Sequence, residues 1–260
     1  REQYEQKWDN IKLFIEYGML SDEKFCERAM KFTLLKNTDG KYFSIDDYRE
    51  AIEPAQTDKD KKLIFLYATD SEKQYFFIDA AKNQGYDVLL MDCELDSHFV
   101  NLLESKLENV RFARVDSDSV DKLIQKGEEV KLELSEDDKK SLDEMFKSVL
   151  PQGNEYMVEA RNLGETAVPV LITQNEFMRR YREMSAMGGG MNFYGSIPES
   201  YNIIVNMQNP LVAKIWNDRA VEGDNDLLRQ VVDLALLSNG MLKGKDLSDF
   251  VARSEKLLGK

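Results

Sequence analysis

Donor side chains crowd one short stretch of the chain: Asp92, Cys93, Glu94 and Asp96, with the single histidine, His98, just beyond. Carboxylates, a thiol and an imidazole at that spacing are the groups of a metal site or of an acid–base pair. One histidine excludes every two-histidine zinc motif, and with Cys26 as the other cysteine there is no C-x-x-C for zinc or redox work. A Cys–His nucleophile would have to pair Cys26 or Cys93 with His98, and no third group stands ready to orient the imidazole. The plainer expectation is that His98 lies on the surface in the first turn of a helix and that both cysteines are small buried hydrophobes. Phosphate chemistry lacks its motifs: neither G-x-G-x-x-G nor G-x-x-x-x-G-K-[ST] occurs. The turn Thr69-Asp70-Ser71 puts a carboxylate where phosphate would sit, and Gly188-Gly189-Gly190 follows a helix rather than a strand.

A different chemistry, apolar recognition, is offered by residues 175–194. Phe177, Met178, Tyr181, Met184 and Met187 fall on one helical stripe, with Arg179, Arg180 and Arg182 elsewhere on the helix. Such a stripe ordinarily packs into a core. Here the helix runs into a glycine-rich loop that itself carries Met191, Phe193 and Tyr194, and unbranched thioether side chains adapt to apolar partners of many shapes.

These groups must be held by ordered elements. Lys62-Leu-Ile-Phe-Leu-Tyr-Ala68, Tyr86-Asp-Val-Leu-Leu-Met91 and Val110-Arg-Phe-Ala-Arg-Val115 are short apolar runs separated by helical patterns, which predicts strands of a parallel sheet. Before them, Tyr4, Trp8, Ile11, Phe14 and Ile15 share a helical face, with Gly18 able to end that helix, and a short helix from Ser44 is stopped by Pro54. Polar and acidic residues over 116–137 mark a boundary, dividing the chain into 1–125 and 126–260. Ser135 with Asp138 then resembles a capping box. Strands are expected at 155–161, 168–173 and 201–207, and helices at 174–187, 209–220, 224–238 and 246–258. The fold class expected is α/β followed by α+β: a small parallel-sheet subdomain, then a three-stranded sheet with helices forming a dimerisation bundle.

Those last two helices are broadly apolar. Leu227, Leu228, Val231, Leu234 and Ala235 in one, and Leu247, Phe250, Val251, Leu257 and Leu258 in the other, would expose a large patch unless paired with a second copy about a twofold axis. The chain has 260 residues and a net charge of −13, which disfavours nucleic acid or an anionic membrane as partner, and no apolar run approaches the ~20 residues of a membrane span. The start, Arg1-Glu2-Gln3-Tyr4, has no apolar signal core, so a cytoplasmic location is expected. The absence of an initiator Met suggests a piece of something longer.

Several stretches, in order, resemble the ninety-kilodalton heat-shock chaperones, and among them the bacterial HtpG proteins. Phe32 to Leu35, Ser44-Ile-Asp-Asp-Tyr48 and Leu63-Ile-Phe-Leu-Tyr67 look like that family's leucine-rich strand, Ser-Leu-x-x-Tyr helix and Ile-Tyr-Tyr-Ile strand. Gly85-Tyr-Asp-Val-Leu-Leu-Met91 is similar to its Gly-x-Glu-Val-Leu segment, and Ala160 to Val170 to its Arg-Leu-x-x-x-Pro turn. Ile203 to Lys214 is similar to its Glu-Ile-Asn-Pro-x-His segment, although Pro210 follows Asn209 and no histidine follows.

The resemblance implies an unfolded-protein chaperone of which this chain is the later part: the end of the middle domain, then the C-terminal dimerisation domain. ATP and magnesium would then belong to an N-terminal domain outside the chain, and the chain itself would hold no cofactor and be no enzyme. Clients would meet His98, Phe99 and Asn101 on one side and the Phe177–Phe193 segment on the other, facing a common cleft. A rival expectation is a ligand-binding or catalytic α/β domain over residues 62–115, with His98 or Asp92 as its acid–base group.

Overall fold

A computed structural model describes residues 1–128, 132–187, 198–219 and 226–259, with only the helical backbone at 183–187. The chain divides into two compact units, the first made of residues 1–128 together with one helix from later in the sequence.

The first unit opens with helices α1 (Glu2–Ser21) and α2 (Glu23–Ala29), a hairpin of β1 (Leu34–Lys36) and β2 (Tyr42–Ser44), and α3 (Ile45–Gln56). Helix α1 does not end at Gly18. A Cβ there would lie 2.7 Å from the Phe25 ring, so the glycine lets α2 pack close, and the turn comes at Asp22, which caps α2 by accepting the Phe25 amide. Phe14 faces solvent, unlike Trp8 on the same helix, and Pro54 sits inside the last turn of α3 instead of stopping it.

Three parallel strands follow, β3 (Leu63–Ala68), β4 (Val88–Leu90) and β5 (Val110–Arg114), in the order β4-β3-β5. They alternate with α4 (Tyr75–Asn83) and α5 (Asp96–Lys106), and a short α6 (Val120–Leu123) closes the run. All six residues of the central strand are buried. Leu63, Phe65 and Tyr67 point into a core shared with Tyr48, Phe99, Leu103 and Phe112. At the turn after β3 the backbone amides of Thr69 and Asp70 are taken by the Gln74 side-chain oxygen, at 2.7 and 3.0 Å, and α4 starts only after it.

The second unit is built on α7 (Glu136–Lys147), whose N-cap Ser135 accepts the Asp138 amide, and on strands β6 (Glu155–Arg161), β7 (Val170–Thr173) and β8 (Ser200–Asn206). Strand β8 is central, parallel to β6 and antiparallel to β7. Helices α9 (Pro210–Asp218), α10 (Asp226–Ser238) and α11 (Gly244–Leu258) complete it. Between β7 and β8 in sequence comes α8 (Glu176–Met187), which belongs to the first unit. The sequence boundary had assigned it to the second. No helix among the described residues is long and apolar enough to cross a membrane.

Candidate functional site

Helix α8 meets the first unit through its charged side. Arg180 donates from Nη1 to Glu104 Oε2 (2.8 Å) and Asn101 Oδ1 (3.1 Å) on α5, and from Nη2 to the Phe112 carbonyl (3.0 Å) on β5. Glu104 is itself fixed, because its Oε1 accepts the Phe112 amide at 2.6 Å. Arg179, 4% exposed, donates to the Tyr67 hydroxyl (2.6 Å) and to Glu176 Oε1 (2.8 Å), while Tyr67 donates to that same carboxylate oxygen at 2.8 Å. Burial would raise the Glu176 carboxyl, but Arg179 and Arg180 outweigh it and hold it below its ordinary value. Burial, and next the Glu176 charge, push the Tyr67 hydroxyl up. Each ion in this network has an oppositely charged partner within hydrogen-bond distance, which offsets part of the cost of burying charge.

The apolar side of α8 consequently faces out. Phe177 is 74% exposed and Tyr181 52%, their rings stacked with centroids 6.5 Å apart, and Met178 lies partly exposed beside them. This reverses the usual amphipathic helix, in which the apolar stripe is the buried one. The side chains of Met184 and Met187, and residues Met191 and Phe193, lie outside the described residues. On α5, Asn101 joins the network as an acceptor for Arg180, and His98 is half-buried. Phe99 is not a contact surface: it is 1% exposed and packed in the core with Phe65-side residues of β3, so it cannot meet a partner without unfolding α5.

From the donor-rich stretch at 92–96, Cys93 and Asp96 enter a second cluster, completed from α1 and not by His98, while Asp92 and Glu94 are exposed. One ligand atom each of Glu16, Cys93 and Asp96 lie within 4.8 Å of one another. Lys12 Nζ stands 3.0 Å from Asp96 Oδ2, 3.5 Å from Asp92 Oδ1 and 3.8 Å from Glu16 Oε1. Glu16 is wholly buried, and neither of its oxygens has a hydrogen-bond partner among the described residues. Burial, then repulsion from Asp96, pushes its carboxyl up to about 8 against the pull of Lys12. Burial likewise pushes the Cys93 thiol up to about 11. Cys26 is a buried core residue, but Cys93 is only half-buried and faces these carboxylates, so it is not the simple small hydrophobe the sequence suggested. Glu16 and Lys12 carried no local signal, being far from Asp96 in sequence.

In the second unit, two stretches that carried the family resemblance prove to be one structure. Asn206, fully buried, accepts the Leu163 amide (3.0 Å) and donates to the Gly164 and Val168 carbonyls (2.8 and 3.3 Å), so it braces the loop leading to Pro169. Asn209 caps α9 through the Leu211 amide and donates to the Ala167 carbonyl at 2.8 Å. Helices α10 and α11 are joined by Arg253, which pairs with Asp233 and donates to Gln230 Oε1 at 2.9 Å.

The expected dimer surface needs correction. Leu228, Val231, Ala235 and Phe250 lie in the unit's own core, because α10 packs on β7 and α11 and uses that face within the chain. Leu227 and Leu247 are partly covered by the same core. What remains exposed is Leu234 and Leu237 on α10, with Val251, Leu257 and Leu258 on α11.

Residues 1–260 match the family model described as Hsp90 protein. Among curated proteins, the chain is 37% identical to the chaperone protein HtpG of Porphyromonas gingivalis strain ATCC 33277, over 99% of this chain and 47% of that protein. It is 38% identical to the HtpG of Bacteroides fragilis strain YCH46, and 36% to that of Bacteroides thetaiotaomicron, each over 99% of this chain and 48% of the relative. The chain thus spans about half the length of the curated relatives it matches. One expectation is overturned by these matches. The family model takes in the whole of residues 1–260, which leaves no part of the chain to be set apart from the family's ATP-dependent protein, so the expectation of a non-enzymatic chain without ATP or magnesium does not stand.

Proposed function

The chain belongs to the Hsp90 protein family, and from that premise we propose that it serves an HtpG-type chaperone as a surface that holds unfolded client protein and as a site of self-association. Client handling driven by ATP, in the cytoplasm, would be the activity of the whole protein. The observation that carries the client surface is the inverted helix α8. Arg179 and Arg180 are spent on Tyr67, Glu104 and Phe112, and the Phe177, Met178 and Tyr181 side chains are presented to solvent. Two exposed aromatic side chains and a methionine grouped on one helical face support a role in binding, since clustered apolar groups left in water mark interaction surfaces. Its aromatic and thioether groups suit partners with no fixed sequence.

The test is suppression of aggregation of a denatured model protein by the chain carrying Phe177→Ser and Met178→Ser. Both side chains are exposed, so the fold should keep its melting temperature while protection falls several-fold. Undiminished protection would refute the client surface. Self-association is supported by the apolar residues left over on α10 and α11. Leu234→Glu with Val251→Glu should convert a dimer to a monomer in sedimentation, and a wild-type chain that is monomeric at micromolar concentration would exclude it.

A further inference from the structure

We propose that Glu16, Cys93 and Asp96 form a binding site for one divalent cation of zinc's class, with the Lys12 ammonium as the resident charge that the metal displaces. Three carboxylate oxygens of this cluster, both of Glu16 and Oδ1 of Asp96, are buried without a hydrogen-bond partner among the described residues. Buried acceptors are almost always satisfied, so three left unmade at one locus point to a ligand. A proton held between Glu16 and Asp96 would serve one of these oxygens, whereas a divalent cation would serve all of them at once. Lys12 is a cation already, but at 3.0 Å from Asp96 Oδ2 and 3.8 Å from Glu16 Oε1 it serves the first carboxylate and leaves the second short.

The donor set selects the metal. Magnesium and calcium take oxygen ligands in sixes to eights, whereas a thiolate with two carboxylates suits zinc or cobalt(II) in four-coordination. Ligand atoms of a tetrahedral zinc site stand roughly 3.3–3.7 Å apart, from bond lengths of about 2.0–2.3 Å, so atoms now within 4.8 Å need to close by only about an ångström. A fourth ligand is at hand in Asp92, whose carboxylate already faces the same ammonium at 3.5 Å, or in water. A narrow cleft lined by Trp8, Lys12, Glu16, Lys36, Met91 and Asp92 reaches the cluster and gives an ion its way in. On binding, the Cys93 thiol and the Glu16 carboxyl release their protons to solvent. The bound ion would tie α1 to the first turn of α5, the helix whose Asn101 and Glu104 receive Arg180.

The 260-residue chain, stripped with chelator, is titrated with cobalt(II) and followed in the near ultraviolet. The expected result is a thiolate-to-cobalt charge-transfer band that saturates at one ion per chain and is bleached by zinc. Cys93→Ser should abolish the band and Cys26→Ser should keep it. Glu16→Gln should weaken binding about tenfold or more. Lys12→Met should tighten it, an effect opposite to that of a merely structural lysine. Zinc should also raise the melting temperature of the wild type but not of Cys93→Ser, which keeps the test decisive if Glu16→Gln folds poorly. Absence of the band, its survival in Cys93→Ser, or weaker binding by Lys12→Met would each overturn the site.

Discussion

Arg180 and Glu104 are 76 residues apart in sequence and 2.8 Å apart in space, and their contact decides which side of α8 the solvent sees. Because Glu104 also holds the Phe112 amide, the carboxylate is positioned before the arginine arrives, and the helix seats on a prepared acceptor. Replacing Arg180 with Ala leaves Glu104 and the Phe112 carbonyl partly buried without their donor. We expect a loss of about 2–4 kcal/mol in α8 docking. Hydrogen exchange should show faster amide exchange across residues 176–182 with little change in β3. Unchanged protection in α8 would contradict the docking.

The pH dependence follows from Glu176. Its carboxyl lies below its ordinary value of 4.5, so its contribution is complete above that value and is lost as pH falls through the lower folded value. Docking of α8 should thus be constant from neutral pH down to the ordinary carboxylate range and weaken below it. Glu176→Gln should flatten that acid limb. A limb unaltered in the variant would assign the transition to other carboxylates.

What could be read from the sequence, and what could not, divides along the range of the interactions. The buried run Leu63–Ala68 and the Ser135–Asp138 cap are legible because each is decided by neighbours in the chain. The direction of α8 is not. Its apolar stripe and its arginine stripe are equally regular, and the choice between them rests on Glu104 and Phe112, 76 and 68 residues away from Arg180. The donor cluster was visible at Asp92, Cys93 and Asp96, yet its decisive members, Lys12 and Glu16, come from a helix whose pattern showed only a hydrophobic face. For the same reason the apolar breadth of α10 suggested a partner chain, when most of that face is used on β7 and α11.

Asn206 offers a test of the second unit. It is fully buried and hydrogen-bonded through both side-chain atoms to the loop at 163–168, so Asn206→Leu strands the Leu163 amide and the Gly164 carbonyl together. A loss of about 2–4 kcal/mol is expected, confined to the melting of the second unit. A variant with wild-type stability would show that water replaces the side chain at no cost.

Gly18 tests the packing of the first two helices. Gly18→Val would drive a side chain into the Phe25 ring, which a Cβ alone would approach to 2.7 Å. Overpacking of this kind costs about 1–3 kcal/mol. The added substitution Phe25→Ala should restore part of it, and failure of that rescue would place the strain elsewhere.

The central claim, that the outward face of α8 is the one that holds unfolded protein, is met most directly by site-specific photo-crosslinking. A photoreactive phenylalanine analogue is placed in turn at Phe177, which is 74% exposed, and at Phe14 on α1, which is 72% exposed. Equal exposure makes the second position a control for mere hydrophobicity. With a denatured model protein in excess, crosslinked adduct should form at position 177 and be competed away by unlabelled client, while position 14 yields little. Equal adduct at the two positions, or more at position 14, would contradict the assignment.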